Sequence, residues 1–135
     1  MSTIRPTLIL RLALLGDAVA SGATGLLSFA GAGLLAELLG LPTPLLRYAG
    51  LLLLPYAAFV AWIGTRDRVA EAFVRIIVAG NALWALASVL LLTSGQIAPT
   101  ALGVSFVTVQ AAAVAAFAVG QAYGLRRQAA VAAHA

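Results

Sequence analysis

Apolar residues run along this chain in four long blocks, at 8–30, 44–64, 70–93 and 99–123, and polar residues gather in the gaps. A helix that crosses a bilayer needs about 20 mostly apolar residues, and each block is long enough. The pattern predicts four membrane-spanning helices in one transmembrane domain over residues 1–135. The gaps carry turn chemistry. Gly31, Gly33, Gly40, Pro42 and Pro44 interrupt the first pair of blocks. Thr65-Arg66-Asp67-Arg68 separates the second and third, and Thr93-Ser94-Gly95-Gln96, then Pro99, the last two. Glycine and proline continue a helix poorly, whereas proline suits a first helical turn. The two later gaps are short, which predicts antiparallel neighbours.

The first gap is longer and contains its own apolar run, Leu34-Leu35-Ala36-Glu37-Leu38-Leu39. A helix unbroken from Leu8 to Leu39 would measure about 48 Å at 1.5 Å per residue, well beyond a hydrocarbon core of about 30 Å. A break at Gly31 or Gly33 is expected, with a short interfacial segment at 34–40 and Glu37 facing water. One long, tilted first helix is the alternative.

Composition agrees with the pattern and removes other classes. Of 135 residues, 63% are hydrophobic and 9% charged, against about a quarter charged in a soluble globular chain. A soluble domain this small could not cover so much apolar surface. That excludes a soluble enzyme, a disulfide scaffold and a disordered tail. Cysteine is absent, so no disulfide or thiolate chemistry exists, and the single histidine is His134. A bis-histidine haem, a histidine metal cage and a Ser-His-Asp triad are excluded with it. No catalytic residue, metal or cofactor is expected.

The net charge of +4 comes from eight Arg against four acidic residues. In a membrane protein such residues set topology, and nucleic acid is not an expected partner. Arg5, Arg11, Arg66, Arg68, Arg75, Arg126 and Arg127 fall on one side, Arg47 alone on the other. Cytoplasmic loops hold the excess of basic residues, so both termini are expected to be cytoplasmic. The expected fold class is therefore all-α, an integral-membrane four-helix bundle. Ala18-Val19-Ala20 has the form of a signal-peptidase site, but Arg11 and Asp17 interrupt the apolar run such a leader needs, and a retained first helix is expected. Glu71 and Arg75, four apart, are expected to pair. Arg11 and Arg47, each about a turn inside a helix end, are expected to snorkel.

One polar group per helix near the membrane centre is the main candidate chemistry. Asp17 lies about 15 Å into the first helix by helical rise. Ser21, Thr24 and Ser28 follow at spacings that share its face. Tyr56, Asn81 and Gln110 fall at similar depth on the other helices, and Trp84 and Ser88 continue the Asn81 face. Intramembrane ionisable residues are costly and mark functional candidates. Two readings stand. Asp17 is a proton or cation site with Ser21, Thr24, Tyr56, Asn81, Trp84 and Gln110 around it, or these side chains are interhelical hydrogen bonds that set packing register. The second is preferred. Small residues (Ala112, Ala116, Gly120 and Gly124 on the fourth helix; Ala18, Ser21, Gly22 and Gly25 on the first) mark packing faces, inside one bundle or towards a second copy.

The stretches LLRYAGLLLLPYAAFVAW (45–62), NALWALASVLLL (81–92) and PTALGVSFVTVQAAAVAAFA (99–118) resemble a group of small, uncharacterised four-helix bacterial inner-membrane proteins. That resemblance implies the bacterial inner membrane and no particular activity. A more distant analogy is to the small multidrug resistance exporters, four-helix proteins with an acidic residue in the first helix. They carry Glu at the position Asp17 would occupy and lack so strong an Arg bias. The expected function is a non-enzymatic accessory or assembly component, with the lipid bilayer, a second copy or another membrane protein as partner. The alternative is a small proton-coupled transporter or channel centred on Asp17.

Overall fold

The computed structural model describes residues 2–135. It contains five helices, α1 (Leu8–Ala30), α2 (Ala32–Leu39), α3 (Thr43–Gly64), α4 (Glu71–Thr93) and α5 (Ala101–Ala133), with two two-residue strands, β1 (Thr3–Ile4) and β2 (Val69–Ala70). α1, α3, α4 and α5 are each long and apolar enough to cross a membrane. They coincide with the four apolar blocks, except that α5 continues ten residues past 123. The added stretch, GLRRQAAVAA, is rich in strong helix formers.

Local chemistry sets the boundaries. Thr7 caps α1, its Oγ1 accepting from the Leu10 N–H at 3.3 Å. The break after α1 falls at Gly31, whose N–H donates to Leu27 O. α2 ends at Gly40, in the left-handed region at φ 65°, where glycine has no steric penalty. Glu37 is exposed. Thr100 then serves two helices. Its hydroxyl accepts from Gly103 N–H at 3.1 Å, capping α5, and donates to Leu38 O at 2.8 Å, while its N–H donates to Leu39 O at 3.0 Å. The end of α2 is thereby pinned to the start of α5. A Cβ on Gly103 would lie 1.9 Å from Leu39 O, so only glycine allows this approach.

The long helices pack as two antiparallel pairs, α1 with α3 and α4 with α5, joined chiefly through α1 and α5. α1 and α3 cross at Gly25 and Gly50, where a Cβ on Gly50 would meet Gly25 O and Phe29 N at 2.6 Å. Gly120 and Gly124 face Ala13 and Leu10 of α1, whereas Ala112 and Ala116 are exposed. Helices α3 and α4 depart from the expectation of close neighbours. They share a short loop, a Phe59–Phe73 edge contact at 5.7 Å and a Tyr56–Asn81 hydrogen bond, and otherwise stand apart. A short loop ties helix ends together but does not fix the rest of the helices. Glycines bring α3 onto α1, while Leu53 and Trp84 border open space between α3 and α4.

At the end of the molecule that carries both termini, β1 pairs antiparallel with β2, Thr3 opposite Ala70 and Ile4 opposite Val69. Gln128 of α5 donates to Arg5 O and accepts from Thr7 N–H. Arg11 reaches to the C-terminal end of α3. Its guanidinium donates to Gly64 O at 2.8 Å and Arg66 O at 3.1 Å. The carbonyls at a helix C-terminus lack intrahelical partners and carry partial negative charge, so Arg11 finds at the end of α3 the polar partner that headgroups would otherwise supply. Glu71 and Arg75 pair as expected. Leu10, Leu14, Val60, Ile63, Val74 and Ile77 form the core at this end, and Ala32, Leu39, Leu41, Leu46 and Val107 a second core beside α2. The polar side chains lie between.

Candidate functional site

The polar face of α1 turns inward: Asp17, Ser21 and Ser28 are buried and Thr24 is half-buried. Asp17 is 0% exposed. Its carboxyl oxygens meet four neutral groups, one on its own helix and one on each other long helix. Ser21 Oγ donates to Oδ1 at 2.9 Å. On Oδ2 converge the Tyr56 hydroxyl of α3 at 3.0 Å, Asn81 Nδ2 of α4 at 2.7 Å and Gln121 Nε2 of α5 at 2.8 Å. Asn81 Nδ2 also donates to Gln121 Oε1 at 3.0 Å. No buried side-chain nitrogen or oxygen lacks a partner among the described residues. That closure matters because an unpaired polar group in an apolar interior is costly.

Proton arithmetic adds one feature. Tyr56 Oη lies 3.0 Å from Asp17 Oδ2 and 2.8 Å from Asn81 Oδ1. A phenol has one proton to donate, and neither an ionised carboxylate nor an amide oxygen can donate back. With a proton on Asp17, Oδ2 donates to Tyr56 and Tyr56 donates to Asn81, so both contacts become hydrogen bonds. The cluster can therefore hold a proton on Asp17 without losing a partner.

Asp17, Ser21, Tyr56 and Asn81 thus come together as the sequence pattern suggests, but Gln110 does not join them. The α5 member is Gln121, which depth counting placed at a helix end. The registers explain the exchange. Phe117 lies opposite Gly16, Gly120 opposite Ala13 and Gly124 opposite Leu10, so Asp17 is level with residues near 117. Side chains tilt towards the N-terminus of their own helix. In the antiparallel α1 and α5, Asp17 and Gln121 therefore lean towards each other, and Gln110 leans away. Gln121 sits between the close-approach positions Gly120 and Gly124, and that flanking was the sequence signal for it.

Gln110 builds a second cluster, nearer α2, with Trp84. The Trp84 indole N–H donates to Gln110 Oε1 at 2.9 Å. Gln110 Nε2 donates to Ser88 Oγ at 2.9 Å and to Val107 O at 3.0 Å, and Ser88 Oγ donates to Trp84 O at 2.8 Å. Around this cluster the two helix pairs part. A cavity of about 590 Å³ lies between α1, α2 and α5. One of about 290 Å³ opens between α3 and α4, and one of about 320 Å³ reaches Ser21, Tyr56 and Asn81. Trp84 and Leu53 border all three, and Thr24 borders the first two.

No protein-family model, no curated protein and no solved structure matches the chain.

Proposed function

We propose that this chain is a non-enzymatic multi-pass protein of the bacterial inner membrane, with both termini cytoplasmic, that acts as an accessory or assembly component. Its partners on this reading are the lipid bilayer and a second copy or another membrane protein. The observation that carries it is the closure of the Asp17 cluster. The one carboxyl group in mid-helix is engaged by neutral side chains of the same chain, drawn from every long helix. Such a residue acts as a joint between helices. The Arg distribution supports the orientation. The absence of cysteine and the position of the only histidine, His134, support the non-enzymatic reading.

The contact of Tyr56 Oη with both Asp17 and Asn81 favours a second reading, a small proton-coupled transporter or channel in which Asp17 is the proton or cation site and Tyr56 and Asn81 surround it. Purified wild type and Asp17→Asn are reconstituted in vesicles carrying an internal pH dye, and a pH gradient is imposed. The accessory reading expects both to match empty vesicles. A wild-type proton flux that Asp17→Asn abolishes overturns it in favour of the second.

A further inference from the structure

The space between the helix pairs has a shape and a chemistry of its own. Its largest lobe runs along α5 from Leu102 to Phe117, about 22 Å by helical rise. Even the whole empty space of about 1270 Å³, its open side included, leaves a cross-section of no more than about 60 Å² over that length. A helix, about 10 Å across with its side chains, cannot enter. An extended chain can.

No charged side chain borders any of the three lobes among the described residues. The polar groups on the walls are largely committed to one another: Ser21 to Asp17, Asn81 to Asp17 and Gln121, and Trp84, Gln110 and Ser88 to each other. A charged occupant would lose its hydration without gaining a counter-charge. At the junction stands the Trp84 ring, its N–H held by Gln110, which Ser88 and Val107 hold in turn. A ring pinned in this way presents a fixed apolar plate, and a preformed apolar pocket costs little ordering on binding.

We propose that this cleft is a binding site for one uncharged hydrocarbon chain, entering sideways from the membrane and lying against Trp84. A phospholipid tail and a free long-chain molecule present the same chemistry. The inference rests on the membrane placement proposed above and is independent of the role of Asp17.

The test uses fluorescence. The chain has two tryptophans, so Trp62→Phe leaves Trp84 as the only one. In vesicles of phosphatidylcholine, bromohexadecane is titrated in one arm and phosphatidylcholine with brominated tails in the other. The expected result is saturable quenching of Trp84. It is lost in Val114→Phe and in Thr24→Leu, both of which fill the cleft. It is retained in Val119→Phe, on a side chain 70% exposed on the outside of α5. Saturation by the brominated phospholipid alone assigns the site to a lipid tail, and saturation by bromohexadecane to a free chain. Quenching that rises linearly and equally in every variant overturns the proposal. Melting curves of each variant report folding, and resistance to alkaline extraction reports insertion, so failed placement is told apart from an empty cleft.

Discussion

Single side chains here are matched by hydrogen-bond arithmetic, and Asp17 is the sharpest case. Three donors meet at Oδ2 and one hydroxyl at Oδ1. An asparagine can keep this arrangement. Its oxygen replaces Oδ2, and its amide faces Ser21, whose hydroxyl can accept as readily as donate. Leucine cannot, and Gln121 Nε2 and Ser21 Oγ lose their partner. The expected outcome is that Asp17→Asn melts close to wild type in detergent, while Asp17→Leu loses about 2–6 kcal/mol, at about 1–3 kcal/mol for each of the two stranded groups. Equal melting of both variants would show that the cluster does not hold the helices together. Four of the five cluster members were legible in the sequence, because Asp17 and Ser21 share a helical face at i and i+4 and Tyr56 and Asn81 fall at the same depth. Gln121 was not, because its position depends on how far α5 runs and how its side chain tilts, neither of which an apolar block records.

Among the elements, glycines decide how closely helices approach, and identical glycine substitutions should have opposite signs. Gly103 sits against the α2 terminus, where a Cβ would lie 1.9 Å from Leu39 O. Gly80, inside α4, has nothing within 4 Å of that position. Gly103→Ala must push α2 off α5 and break the Thr100 bridge, at a cost of about 1–3 kcal/mol for overpacking. Gly80→Ala should stabilise by up to about 1 kcal/mol, because alanine orders more cheaply in a helix than glycine. Melting temperatures measured side by side check the pair, and a lower value for Gly80→Ala would contradict the open space beside it. The helix positions themselves were legible, since length and apolarity alone pick out all four. The pairing of α3 with α1 was hidden, because it depends on Gly25 and Gly50 meeting across two helices.

Charge and topology belong to the whole molecule. Both termini lie at one end of the helices with seven of the eight Arg, and Arg47 lies towards the other. β1 crosses to the α3–α4 loop and Gln128 of α5 reaches back to Arg5 and Thr7, so this end is tied into one unit. On the orientation proposed above, that unit faces the cytoplasm. A reporter that works only in the cytoplasm, fused after Ala135, is expected to be active. Activity of a periplasmic reporter at that site would overturn the orientation.

Sequence by itself determined the number of the long helices and, apart from the end of α5, their approximate limits, a break at Gly31 or Gly33 and the polar face of α1. Each of these follows from local periodicity, glycine and proline chemistry, or the cost of polar groups in an apolar run. Tertiary structure alone decided that Arg11 caps α3, that Gln121 and not Gln110 completes the Asp17 cluster, and that the helix pairs part around Trp84. These depend on the register and separation of helices distant in sequence. Register is set where small residues on two helices let backbones touch, so it is not written in any one segment.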